Sequence, residues 1–272
     1  MAYRMKKFIF GDSNEFEFNY AGNFGAKGEK RAPKLKATPE QIKKQNQWKR
    51  TVYIRRIIKW NFKKNDLWCT LKHPRGTRLP LGVVKKEIRK FLERMRKAYK
   101  KLGAVFKFIY RFEIGKRGGI HIHILLNRVH ENHATDKLVK ECWTYGSVYF
   151  ADIEDEGGIQ GLAEYIVKEP DEEVEKQLSL FPEGDQKKLR NYSCSRNLIR
   201  RDPEVKEYAH WTMHRILDIA GEIKPSPGYY VDKSSIRQGI NKYTGLSYLY
   251  YTEYRIKPKG RGVPGSQGRK TE

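Results

Sequence analysis

A chain of 272 residues is long enough for one substantial core with appendages, or for two small domains. Lys and Arg number 56 against 32 Asp and Glu, a net charge of +24, and that excess calls for a polyanionic partner. Nucleic acid is favoured over a membrane, because no apolar run approaches the ~20 residues a spanning helix needs.

The amino terminus, MAYRMKKFIFGDSNEF, lacks the apolar core and cleavage site of a secretory signal. Three cysteines, Cys69, Cys142 and Cys194, are scattered without metal-like spacing and are expected to be reduced thiols in a cytoplasmic protein. No GxxxxGK[ST] loop occurs, so neither a bound nucleotide cofactor nor a nucleotide-driven motor is expected.

In chain order, residues 1–37 are rich in Gly, Asn, Lys and Ala and are expected to be a flexible basic lead-in. Thr38-Pro39-Glu40 carries a capping hydroxyl and a first-turn proline, and opens a helix to about Phe62. That helix sets Arg50, Arg55, Arg56 and Lys59 beside Trp48, Val52 and Ile58; it reads equally well as a solvated face or a phosphate-binding one. Leu67–Lys72 alternates as a strand. Val84, Ile88, Phe91, Met95 and Leu102 recur at helical spacing over 83–102, and Gly103 supplies the stop.

The stretch YRFEIGKRGGIHIHILLN, residues 110–127, predicts a β-hairpin. Side chains alternate between the faces of a strand. Phe108, Tyr110, Phe112, Ile120, Ile122 and Ile124 therefore share an apolar face, while Glu113, His121 and His123 share the other. The glycines of Gly115-Lys116-Arg117-Gly118-Gly119 suit a short turn. Closed symmetrically about Arg117, the hairpin sets Glu113 opposite His121, with β-carbons roughly 4.5–5.5 Å apart. Two imidazoles and a carboxylate at that separation can share one metal ion and leave it open positions, as catalytic sites do.

Thr135–Trp143 reads as a short helix, Ser147–Ile153 as a strand, and Gly158–Glu169 as a helix ended by Pro170. From Leu67 to Ile153 the order is βαββαβ. The expected fold is thus α+β and ferredoxin-like: an antiparallel sheet with helices on one face and the His/Glu face open to a polymer. An acidic linker (171–190), a C-terminal extension (191–256) and a disordered basic tail (257–272) follow. Within the extension, SCSRNLIRR is a polar loop or a phosphate contact, Asp202-Pro203-Glu204 opens a helix to Ala220, and the tyrosine-rich residues 228–256 suggest strands.

His121-Ile122-His123 on a ferredoxin-like strand, Glu113 upstream, and Tyr165-Ile166-Val167-Lys168 on the helix after the fourth strand resemble the HUH single-strand endonucleases. The likeness is to the rolling-circle replication initiators of small single-stranded DNA phages and plasmids, and it spans about residues 45–205. It implies a nickase domain at 38–170 in which His121, His123 and Glu113 hold Mn²⁺ or Mg²⁺. It makes Tyr165 the nucleophile, joined to DNA as a 5′-phosphotyrosine, with Lys168 assisting. The Tyr-x-x-Lys pattern recurs at Tyr3, Tyr230 and Tyr254, and position on the helix selects Tyr165. Gly161 falls on the flank of Tyr165 and would leave a trough for the strand. Arg55, Arg56, Lys72, Arg111 and Arg196 are candidate DNA contacts. The implied partners are single-stranded DNA at a replication origin and a host helicase and polymerase.

Three other readings compete. A transposase or relaxase shares the metal motif. A non-enzymatic module on an RRM-like sheet would stack bases on central-strand aromatics, where this chain has histidines. His130 and His133 suggest a zinc site, but without cysteines the signal is weak.

Overall fold

The computed structural model describes residues 3–21, 32–115, 118–129, 135–151, 153 and 158–256. In chain order its elements are β1 (Tyr3–Ile9), β2 (Ser13–Tyr20), α1 (Pro39–Asn61), β3 (Leu67–Lys72), α2 (Leu81–Lys101), β4 (Phe108–Ile114) and β5 (Ile120–Leu126). Then follow α3 (Thr135–Cys142), β6 (Ser147–Ala151), α4 (Gly158–Val167), α5 (Glu172–Leu178), α6 (Glu183–Arg190) and β7 (Tyr192–Cys194). The last four are β8 (Glu204–Tyr208), α7 (Met213–Gly221), β9 (Tyr229–Asn241) and β10 (Leu246–Arg255). The fold is α+β, with two compact units: Thr38–Arg200, and Met1–Ala37 together with Arg201–Glu272.

The unit at 38–200 is built on an antiparallel sheet in the order β6-β3-β5-β4-β7. Its first four strands have the ferredoxin-like order, and β7 adds an edge beside β4. The alternation of the hairpin sorts its side chains as expected. Cys69, Leu71, Phe108, Phe112, Ile122 and Ile124 face α2, where Val84, Ile88, Phe91 and Met95 are fully buried. Each such side chain contributes about 1.5–3 kcal/mol by leaving water.

The second face is not open, as the alternation suggested. Trp68, Ile109 and Leu125 lie beneath Ile54, Ile57 and Ile58 of α1 and Leu162, Ala163 and Ile166 of α4. Apolar residues on the histidine face, at one end of each strand, demand this cover. α1 starts at the expected capping box, where Thr38 Oγ1 accepts from Gln41 N at 3.3 Å and Gln41 Oε1 accepts from Thr38 N at 2.9 Å.

Residues 171–190 are two short helices rather than a linker. Asp171 caps α5 by accepting from Val174 N at 3.0 Å. Leu178 and Leu189 enter the core, and Lys85 on α2 pairs with Asp185 at 2.7 Å. The acidic residues form the helices' solvated faces, so composition concealed two buried leucines.

The other unit carries a sheet ordered β8-β1-β2-β10-β9. The expected flexible lead-in holds two of its strands. Tyr3, Phe16 and Phe18 join Leu249 and Tyr251 in a core covered by Ile216 of α7. β1 and β2 gain partners from the far end of the chain, with Tyr3 opposite Tyr208 and Phe18 opposite Leu249, and local composition carries no sign of that pairing. The helix expected from Asp202 to Ala220 is instead β8 and α7, because residues 204–208 complete the edge of this sheet beside β1. The tyrosine-rich stretch forms β9 and β10. The tail 257–272 lies outside the described residues, as do His130, His133 and Gly157. Among the described residues no helix is long and apolar enough to cross a membrane.

Candidate active site

Hairpin register brings the site residues together. Glu113 on β4 stands opposite His121 on β5, and Arg111 stands opposite His123. On the other side of β5, Thr70 of β3 pairs with His123. α4 packs its apolar arc against α1 and lays Tyr165 over this corner of the sheet.

The Tyr165 hydroxyl donates to Glu113 Oε2 at 2.6 Å and lies 3.0 Å from His123 Nε2. His123 Nε2 in turn lies 2.5 Å from Glu113 Oε2. With Nε2–H directed at the carboxylate, Nδ1 accepts from the Thr70 hydroxyl at 3.1 Å, and the two bonds fix one tautomer. Trp68 stacks on the His123 ring with centroids 5.7 Å apart and meets Tyr165 edge-on at 5.7 Å. Phenol, imidazole and carboxylate are thus held at the edge of an apolar wall.

Burial alone would raise the Glu113 carboxyl. Hydrogen bonds from His123 and Tyr165, with the charges of His123 and Arg111, outweigh it and hold the group at about 2. Burial lowers His121, and Lys72 and His123 push it further down against the pull of Glu113. His121 is therefore a neutral imidazole at pH 7, the form that ligates metals.

Among the described residues no three His, Cys, Asp or Glu side chains are arranged around a common metal position. Glu113 is engaged by His123 and Tyr165, while the His121 ring leans on Gly115: its Cε1 is 2.9 Å from the point a β-carbon there would occupy. Donor chemistry and register nevertheless suit a divalent cation, with two imidazoles and an ionised carboxylate on one sheet face.

Arg111 is not placed as a DNA contact. It is 8% exposed, and its Nη1 donates to the carbonyls of Tyr165 (2.6 Å), Ile166 (3.2 Å) and Lys168 (3.1 Å). The last turn of a helix leaves carbonyls without intrahelical partners and concentrates negative dipole there; this guanidinium satisfies both and ties the tyrosine's helix to β4. Lys168 joins the site through that carbonyl. Its ammonium is exposed and, among the described residues, makes no contact with Tyr165, Glu113 or His123.

The remaining candidates are dispersed. Arg55 Nη1 donates to Gln160 Oε1 at 3.2 Å, next to half-buried Gly161 on α4, and Arg56 is half-buried on α1. Lys72 lies 5.7 Å from the Tyr149 ring centre. Arg196 lines a separate cleft of about 560 Å³ with Phe106 and Phe108, at the opposite end of β4 from Glu113. Two contributors escaped the sequence reading, Thr70 and Trp68. Their signal was the period of two in LWCTLK, which sets them on one face of β3, beside the histidines once β3 neighbours β5.

Residues 66–170, under half of the chain, match the family model for the replication-associated protein ORF2 group. No curated protein and no solved structure matches the chain. The matched segment contains the hairpin, Glu113, both histidines and Tyr165, and the match associates it with replication initiation.

Proposed function

We propose that the chain is a metal-dependent single-strand DNA nickase and ligase of the HUH kind that initiates rolling-circle replication. The observation that carries this reading is the Tyr165 hydroxyl, 2.6 Å from Glu113 and 3.0 Å from His123, in a site walled by Trp68. A structural tyrosine needs one partner; this one is aimed at a carboxylate and an imidazole that are themselves in contact.

His121, His123 and Glu113 would hold Mn²⁺ or Mg²⁺, and imidazole ligands favour Mn²⁺; the bound cation polarises the scissile phosphate. Tyr165 attacks phosphorus: the Oη–P bond forms, the bond from phosphorus to the 3′ oxygen breaks, and the phenol's proton ends on the released 3′-hydroxyl. The enzyme keeps a 5′-phosphotyrosine. Reversal by a 3′-hydroxyl reseals the strand without an external energy source. Glu113 orients the phenol through its hydrogen bond; a carboxyl held at about 2 is too weak a base to retain the proton. Arg111 fixes the helix that carries the nucleophile. With no P-loop in the sequence, unwinding falls to a host helicase and synthesis to a host polymerase.

The test uses a labelled pool of random-sequence single-stranded oligonucleotides, incubated with protein and Mn²⁺ and run on a denaturing gel. A protein–DNA band that requires Mn²⁺ and vanishes in Tyr165→Phe supports the reading. No covalent band, or one that persists undiminished in Tyr165→Phe, refutes it.

A further inference from the structure

A cleft of about 510 Å³ opens directly beside His121, between the loop joining β3 to α2 and the turn end of the β4–β5 hairpin. Its loop side presents Arg75 and Arg78, both exposed; its hairpin side is Gly115, Gly119 and His121, and no carboxylate lines it. The two sides approach closely because the hairpin is glycine there. A β-carbon on Gly119 would stand 3.6 Å from the Thr77 carbonyl oxygen, and one on Gly118 3.8 Å from Arg78 Nε.

The loop is anchored at its root. His73 Nε2 meets Glu87 Oε2 of α2 at 2.7 Å, and the Trp143 indole donates to the Lys72 carbonyl at 3.3 Å while packing edge-on against His73. A Pro74–Thr77 turn, closed at 3.1 Å, then lifts the two arginines over the cleft. Lys72 adds positive potential, felt at His121.

We propose that this cleft is a subsite for the DNA single strand next to the scissile phosphate, with Arg75 and Arg78 holding its phosphodiester backbone. The assignment rests on the nickase reading for its substrate and extends it to residues outside the metal and tyrosine cluster. Volume, charge and shape agree on the occupant. Clefts of about 300–1,000 Å³ hold molecules of nucleotide size, and guanidinium forks match phosphate oxygens in pairs. A wall with no side chains at Gly115 and Gly119 leaves room for a base. The position continues from His121, so a strand whose phosphate lies at the histidines passes into it without a bend away from the sheet.

The experiment measures binding of fluorescein-labelled dT20 by anisotropy across a salt series in EDTA, where no nicking is needed. Arg75→Gln/Arg78→Gln is compared with Arg89→Gln/Lys90→Gln, which removes the same charge from the outer face of α2, and with Arg75→Lys/Arg78→Lys. Each single-strand phosphate contact contributes roughly 0.7 to the slope of log affinity against log salt. The cleft pair should therefore lower the slope by about 1.4, with an unchanged melting temperature. The α2 pair should leave the slope near wild type, and the lysine pair should restore most of it. An unchanged slope in the Gln cleft pair, or an equal loss in the α2 pair, overturns the subsite. Because Tyr165 chemistry plays no part in this measurement, the nickase reading fails or stands separately, on the covalent band.

Discussion

Arg111 and Tyr165 are joined through the backbone rather than through their side chains' ends: the Arg111 guanidinium nitrogen donates to the Tyr165 carbonyl at 2.6 Å, and its carbon lies 5.9 Å from the Tyr165 ring centre. The same guanidinium reaches the Ile166 and Lys168 carbonyls. One buried cation on the strand that carries Glu113 thereby sets where the phenol stands.

Arg111→Met removes those bonds and leaves buried carbonyls unsatisfied. Stability should fall by about 2–3 kcal/mol, read by urea unfolding, and single-turnover nicking should fall more than affinity for single-stranded DNA. Arg111→Lys should recover part of both. Equal losses in rate and DNA affinity would instead mark Arg111 as a DNA contact.

Glu113 gives the fold a pH dependence of known sign. Its folded carboxyl sits at about 2, below the ordinary value of 4.5, so its stabilising contribution is present above pH 4.5 and is lost as pH falls through that value toward 2. In EDTA, the wild type should lose stability over that window more steeply than Glu113→Gln. Parallel curves would mean that the carboxylate gains nothing from His123 and Tyr165.

Thr70 holds the tautomer of His123. Thr70→Val keeps the shape, orphans Nδ1, and should cost about 1 kcal/mol of stability. Loss of a group that orients a ligating histidine typically lowers metal affinity by about 10–100-fold. Titration calorimetry with Mn²⁺ should show a loss in that range; unchanged affinity would place His123 outside the metal site.

Gly115→Ala puts a methyl group 2.9 Å from His121 Cε1, a separation that forces the ring aside. Mn²⁺ affinity should fall while the melting temperature holds, since Gly115 does not sit at positive φ. If Gly115→Ala binds Mn²⁺ as wild type does, His121 is not a ligand.

The sequence was most legible where pattern and pairing are local. The period-two alternation of residues 108–126 sorted both faces of the hairpin, and its turn length set Glu113 opposite His121 without any knowledge of the rest of the sheet. The βαββαβ order followed from helices with clear 3.6-residue spacing, such as α2. Legibility failed where partners are distant. β1 and β2 look like a polar lead-in because their partners, β8 and β10, lie about 200 residues away. Leu178 and Leu189 are single apolar residues in acidic helices, too few to register as a face. Arg111 misled because an arginine on a polar strand face is ordinarily exposed; nothing in the strand's own sequence tells that α4 ends above it. The loop HPRGTR was passed over since its arginines acquire meaning only beside His121.

The most direct test of the central claim is mass spectrometry of the protein–DNA adduct formed with Mn²⁺ and single-stranded DNA, after nuclease and protease digestion. A phosphonucleotide on the peptide containing Tyr165, absent from Tyr165→Phe, is the predicted result. An adduct on Tyr3, Tyr230 or Tyr254, or none at all under conditions where DNA is cut, would contradict it.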